Sequence, residues 1–309
     1  MKVTALGVNS AFAVGRNVLS ADGKTNLYEP RFQSNFLLEF DIGKDKPYRF
    51  VIDFGGDIRH SLLYSADLKL SDIDAWYCSH PHSDHIGGIE GIALSTFFNP
   101  FYKKGKLDWI KTVVGDVPES DKNIIQASVM GKKLPDEFKP ELFGHKDVLK
   151  ELWIASAPGL KTLQGVKKVT LQTFFHVVRM VSNVDKKIKD GDREWTFFTI
   201  ESTHVMSGTS SMPCYGLMFK SSDGKNIYFP TDTMFMMPPT MKSFYDIANV
   251  VYQDCETGPK SGVHSHIDDI RLAPAHIKKK LYLYHFNERP ETEPGEYKAV
   301  LKTGDTQEY

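Results

Sequence analysis

Four residues able to hold a metal fall within one short run, His80-Pro81-His82-Ser83-Asp84-His85. In extended backbone, His80 and His82 alternate across Pro81 and point their imidazoles to the same side. Asp84 and His85 follow at the expected first turn of a helix. One short loop can thus present two groups of ligands to two different cations. Imidazole and carboxylate suit Zn²⁺ first, with Mn²⁺ or Fe as alternatives. With 11 His among 309 residues, such spacing with an aspartate inside it is rare by composition alone, and a metal site accounts for it.

The elements that must position these groups can be read from the apolar runs. Tyr48 to Ile52 leads into Asp53 and the turn signal Phe54-Gly55-Gly56-Asp57, and Ile73 to Cys78 leads into Ser79-His80. Glu194 to Ile200 leads into a loop carrying His204, Asn226 to Phe229 into Pro230-Thr231-Asp232, and Leu281 to Tyr284 into His285. Each is a strand-like run with a metal-capable side chain just past its end. The strand fixes the position and the loop supplies reach. Helical spacing appears over Asp84 to Leu94, Lys146 to Ala155 and Ile267 to Lys280, the last interrupted by Pro274. Strands and helices without strict alternation predict a mixed sheet sandwich with helices outside.

The region at about 97–189 separates two halves of the ligand set. It reads as ordinary helix and strand elements with a solvated turn at Asp185 to Arg193. Residues from Glu288 to Tyr309 read as an exposed polar tail. The start reads as a first strand and a turn, with no signal peptide.

Composition is that of a globular enzyme, 41% hydrophobic and 25% charged. A formal net charge of -1 gives no sign of a nucleic-acid groove or a membrane surface, and no run approaches the ~18 apolar residues of a membrane span. Three cysteines at Cys78, Cys214 and Cys255 form no disulfide framework, so a reducing cytoplasm is expected.

His80-x-His82-x-Asp84-His85 resembles the signature of the metallo-β-lactamase superfamily, and the other strand ends follow in order. The resemblance implies an α/β (α+β) fold, an αββα sandwich of two mixed β-sheets flanked by helices. It implies one domain over 1–309, with the region at about 97–189 inserted or elaborated. It also implies two divalent metal ions. His80, His82 and His204 would hold one, Asp84, His85 and His285 the other, with Asp232 bridging and Asp53 orienting a ligand from behind.

Among branches of that superfamily, the lactamases typically place a cysteine where this chain has Asp232. Glyoxalase-II-like thioesterases carry a Thr-Pro-Gly-His-Thr stretch where this chain has Ser202-Thr203-His204-Val205. Asp254-Cys255-Glu256-Thr257, followed by His264-Ser265-His266, resembles ribonuclease Z and related cyclic-nucleotide phosphodiesterases. In that group a histidine protonates the leaving oxygen and a glutamate orients it. The resemblance makes His264 the acid and Glu256 its partner, with Asp84 beside them, although His266 stands where threonine is usual. No long Gly-Pro-rich arm for gripping tRNA is visible, nor the clustered Lys and Arg of a phosphate-backbone grip. The chain is therefore expected to resemble the phage anti-Pycsar cyclic-nucleotide phosphodiesterases, which are homodimers. Their kind of reaction is hydrolysis of a small phosphodiester, most simply a 3′,5′-cyclic nucleotide, through a metal-bridging hydroxide. Two alternatives stand beside it, a ribonuclease Z-like RNA endonuclease and a non-catalytic metal-binding module.

Overall fold

The computed structural model describes residues 1–20, 23–114, 132–163, 166–182, 184–236 and 238–309. The chain runs through β1 (Lys2–Gly7), the hairpin β2 (Arg16–Leu19) and β3 (Asn26–Glu29), β4 (Asn35–Phe40), β5 (Tyr48–Ile52), α1 (Ile58–Ala66) and β6 (Ala75–Cys78). There follow α2 (Ser83–Ile86), α3 (Ile89–Phe98), α4 (Lys106–Val114), β7 (Glu141–His145), α5 (Lys146–Leu160), α6 (Leu171–Phe174) and β8 (His176–Met180). The second half has β9 (Lys186–Asp190), β10 (Arg193–Glu201), the short ladder β11 (Met206–Ser207) and β12 (Ser210–Ser211), β13 (Tyr215–Ser221), β14 (Asn226–Thr231) and α7 (Lys242–Ile247). It closes with β15 (Val250–Asp254), α8 (Ile267–Arg271), α9 (Ala275–Lys278), β16 (Leu281–Tyr284), β17 (Ala299–Val300) and β18 (Thr306–Glu308).

Two seven-stranded mixed sheets result, ordered β18-β1-β4-β5-β6-β7-β8 and β17-β16-β15-β14-β13-β10-β9. Their facing sides share an aromatic core that includes Phe36, Phe50, Phe197, Phe219, Phe229 and Tyr252. Each such ring, fully buried, is worth about 1.5–3 kcal/mol. Helices α1, α3 and α5 cover the outside of the first sheet, and α7, α8 and α9 the outside of the second. This is the expected αββα sandwich. In each sheet one half is parallel, β5 through β8 and β14 through β17. Parallel strands put all their C-terminal ends on one rim, which is why groups so distant in sequence meet there.

Several sequence expectations are corrected. Residues Glu288 to Tyr309 are not a free tail: β17 extends the second sheet beside β16, and β18 pairs with β1 in the first. The turn expected at Asp185 to Arg193 is the hairpin β9–β10. The helix expected over Asp84 to Leu94 is two helices, broken at Gly87 and Gly88. A Cβ on Gly87 would lie 2.5 Å from the Ser83 carbonyl oxygen, and one on Gly88 2.5 Å from Ile58 Cγ2, so the break lets this segment pack against α1. Within 97–189, β7 and β8 continue the first sheet and β9 the second. Residues 115–131, 164–165 and 183 of that region lie outside the described residues.

Candidate metal centre

All seven side chains expected to be ligands meet at the shared rim. His80, His82 and His204 form one group and Asp84, His85, Asp232 and His285 a second, the donor atoms within each lying within 4.8 Å of one another. The backbone is bent to deliver them. Asp53, Thr231 and His285, each at or just past a strand end, have φ of 61°, 60° and 63°. A left-handed conformation costs a non-glycine residue about 1–2 kcal/mol, and such strain persists only where surrounding contacts hold it.

Hydrogen bonds behind the imidazoles set which nitrogen faces inward. Asp53 accepts from the Ser79 N–H at 2.9 Å, the Ser79 hydroxyl at 2.8 Å and His85 Nδ1 at 2.8 Å. His80 Nδ1 donates to the Ser79 oxygen at 2.9 Å, since that hydroxyl has given its proton to Asp53. His204 Nδ1 donates to the Val263 carbonyl at 2.7 Å. His285 Nδ1 donates to Ser34 Oγ at 3.0 Å, whose own proton goes to the Asn9 carbonyl. Four rings therefore turn Nε2 toward the centre, the outer-shell logic of metal-binding histidines.

Within each group the ring nitrogens converge. His82 Nδ1 lies 3.2 Å from His80 Nε2 and 3.1 Å from His204 Nε2. Two nitrogens bound tetrahedrally to one zinc lie about 3.3 Å apart, so the triangle has the dimensions of a cation's ligand set. In the second group, Asp232 Oδ2 is 3.1 Å from His85 Nε2 and 3.2 Å from His285 Nε2. The same oxygen is 3.8 Å from His80 Nε2 and 3.9 Å from His204 Nε2, a position between the groups. Its partner oxygen, Asp232 Oδ1, is buried with no hydrogen bond from the described residues. An unpaired buried carboxylate oxygen is costly, and a cation would satisfy it. The donor set fits two divalent ions.

Electrostatics agree. Burial holds His80 well below the ordinary histidine range and His82 and His204 below it, and lowers His285 to about 4. This keeps these rings in the neutral form that binds metal. Burial also acts on His85, but the charges of Asp232, Asp84 and Asp53 overcome it and raise its pKa well above the ordinary value. Negative charge is concentrated at this point by the three carboxylates.

The second constellation departs from expectation. His264 lines the cavity over the centre, but its partner is Asp254, whose Oδ2 lies 3.2 Å from His264 Nδ1. Asp254 is fully buried at the end of β15, and its other oxygen is held by the Gln253 amide at 2.7 Å. Burial lowers the His264 pKa, yet the Asp254 hydrogen bond and the charges of Asp232 and Asp254 raise it to about 9. Glu256, expected in the partner's place, lies past the strand end and accepts the Ser261 N–H at 2.9 Å. His266 is occupied by structure: Nε2 donates to the Gly258 carbonyl and Nδ1 accepts the Asp268 N–H at the start of α8. Of the two histidines, His264 is the one placed for chemistry.

The cavity has a volume of about 340 Å³. Besides His82, Asp84, His204, Asp232 and His285, sequence reasoning missed Ser10, Phe12 and Asn287 in its walls. Single polar or aromatic residues in loops carry no periodic signal. Asp254 did carry one, as the last inward position of an apolar strand.

A sequence model of the family described as anti-Pycsar protein Apyc1 matches residues 1–119 and 126–304. The chain belongs to this family. It is 21% identical over 226 residues, 73% of each chain, to the anti-Pycsar protein Apyc1 of Paenibacillus harenae. It is 23% identical over 284 residues to that of Bacillus phage vB_BveM-Goe7, covering 88% of this chain and 90% of the relative. Among solved structures it is similar to the metallo-β-lactamase fold protein YhfI of Bacillus subtilis, with 15% identity, 99% of each chain covered and a TM-score of 0.56. A diphosphatase of the PhnP family gives a TM-score of 0.62 at 15% identity, covering 100% of this chain and 97% of the other. The fold is that of the metallo-β-lactamase superfamily. Among the described residues no helix is long and apolar enough to cross a membrane.

Proposed function

We propose that the protein is a metal-dependent phosphodiesterase that opens a 3′,5′-cyclic nucleotide at a centre of two divalent cations, zinc first among them. The observation that carries this reading is that His264, paired with Asp254, lines the same small cavity as His82, Asp84, His204, Asp232 and His285 of the donor set. Held by the seven donor residues, two cations would supply Lewis acidity toward the phosphoryl oxygens and would lower the pKa of attacking water.

The chain's own residues supply the rest. Asp53, Ser79, Ser34 and the Val263 carbonyl hold the imidazoles in register. Asp232 lies between the two ligand groups, and Asp84 joins it from the start of α2. With Nδ1 committed to Asp254, His264 is a cation near neutral pH and can give its Nε2 proton to the ribose oxygen as the P–O bond breaks. That step suits a poor alkoxide leaving group, which a cyclic nucleotide has.

A small substrate is favoured over RNA because no lysine or arginine is among the described residues lining the cavity, and a polyanion grip needs them. The curated relatives are named anti-Pycsar proteins, which supports the same class. A homodimer fits the surface: Leu27 and Tyr28 on the β2–β3 hairpin and Leu63 and Tyr64 on α1 are exposed, apolar area that a second copy would cover. Three buried free thiols suit the reducing cytoplasm.

The test is a substrate panel on protein loaded with Zn²⁺ or Mn²⁺, offering 3′,5′-cyclic mononucleotides, cyclic dinucleotides, a tRNA precursor and a lactam. Linear mononucleotides from the first class are expected. Cleavage of the tRNA precursor with no opening of cyclic mononucleotides would overturn the reading.

A further inference from the structure

Behind Asp254 lies a row of buried polar side chains outside the ligand set. Strand β15 alternates, so Val250 and Tyr252 face the core between the sheets, while Val251 and Gln253 face the helical layer. That layer is apolar, built from residues such as Met218, Val251 and Leu283, yet Gln253 is fully buried beside it. An amide taken out of water is costly unless its polar atoms are paired, and both ends of this one are. Tyr245 of α7, itself fully buried, donates its hydroxyl proton to Gln253 Oε1. Gln253 Nε2 donates to Asp254 Oδ1 at 2.7 Å and to Ser265 Oγ at 2.9 Å.

The amide has only one workable orientation. Ser265 gives its hydroxyl proton to the Thr233 carbonyl at 2.8 Å, so toward Gln253 it can only accept. Turned over, the amide would set Oε1 against both the Asp254 carboxylate and that serine oxygen. The orientation matters for the next residue along. Asp254 meets His264 Nδ1 through Oδ2 at 3.2 Å, and the same oxygen takes the Thr233 and Ser265 N–H groups only at 3.4 Å each. At 2.7 Å on Oδ1, the Gln253 amide is the shortest hydrogen bond to this carboxylate among the described residues. It fixes the rotation of the carboxylate and, through Oδ2, the side on which His264 is held.

We propose that Gln253, with its amide oriented by Tyr245, is a positioning residue that holds Asp254 at the angle aiming His264 at the leaving oxygen. This rests on the reading of His264 as the general acid. Neither Gln253 nor Tyr245 is among the described residues lining the cavity. Both act through Asp254.

The experiment compares two substrates in the metal-loaded protein, in Gln253→Leu, in Tyr245→Phe and in His264→Ala. The leaving group of 3′,5′-cyclic AMP needs a proton, and that of bis(p-nitrophenyl) phosphate does not. Gln253→Leu should lower kcat on cyclic AMP about 10–100-fold with KM unchanged, the range of one hydrogen bond to a charged group. On the nitrophenyl ester its loss should stay within about twofold. Tyr245→Phe keeps the amide but frees its orientation, and should show the same selectivity at about three- to tenfold. Metal content is measured in each variant, so that a damaged centre is not mistaken for a misplaced acid. Equal losses on the two substrates, or no loss on either, in Gln253→Leu or Tyr245→Phe overturn the positioning role alone. Tyr245→Phe, the milder change, decides the matter if Gln253→Leu does not fold. Equal losses in His264→Ala, or no turnover of cyclic AMP by the unaltered protein, overturn the general-acid reading and the positioning role with it.

Discussion

Two of the places where the molecule buries charge are treated in opposite ways. At the α3–α4 corner, Lys106 is fully buried with no carboxylate partner among the described residues, yet its Nζ donates to the Thr96 carbonyl at 2.6 Å and the Phe97 carbonyl at 3.1 Å. These are among the last carbonyls of α3, which the helix itself cannot satisfy, so the charge closes a helix end. At the metal centre the closure is incomplete. His82 Nδ1 sits within 3.2 Å of two other ring nitrogens, and Asp232 Oδ1 takes no hydrogen bond from the described residues. Burial alone therefore says little about function; a buried carboxylate oxygen left unsatisfied within a cluster of imidazoles and carboxylates says more.

This contrast can be broken at either end, and the largest effect belongs to Asp232. Asp232→Ala removes the oxygen between the two ligand groups, and turnover should fall at least ~10³-fold in a steady-state assay, with metal content reduced. Activity near the unaltered level would refute the bridging position. Next, His264→Ala should cost about 10²–10⁴-fold on a cyclic nucleotide. On bis(p-nitrophenyl) phosphate the loss should be far smaller, because nitrophenolate leaves without a proton. Equal losses on both would remove the acid role. Asp53→Ala touches no cation but frees the rings of His85 and His80, and should weaken metal binding about 10–100-fold by competition with a chelator.

The smallest effect lies at the corner. Lys106→Met strands two carbonyls and should destabilise the fold by about 1–3 kcal/mol in urea unfolding, with turnover per folded molecule unchanged. Its pH dependence is the sharper signature. Burial lowers the Lys106 pKa from its ordinary 10.5 to about 7. Between those values the unfolded chain binds more protons than the folded one, so this residue makes stability rise with pH across the window from about 7 to 10.5. Lys106→Met should lose that rise; a rise of the same size in the variant would place its cause elsewhere.

How much of this was legible beforehand follows from where each signal lives. The ligand set was visible because each member sits just past an apolar strand, and a strand announces itself by composition. The sandwich was visible for the same reason. The β17 and β18 strands were not, since two or three residues held by backbone hydrogen bonds need no apolar pattern. Asp254 was passed over for Glu256 because both flank Cys255, and only the end of β15 at Asp254 decides which carboxylate turns inward. The break at Gly87-Gly88 depends on Ile58 and Ser83, contacts that no helical periodicity encodes.

The contrast between the two buried regions comes down to whether the rim holds cations, and metal analysis of the natively purified protein measures that directly. Elemental analysis should find two divalent ions per chain, and one or none in Asp232→Ala. Fewer than one equivalent in the unaltered protein, with no gain on adding Zn²⁺ or Mn²⁺, would contradict the account.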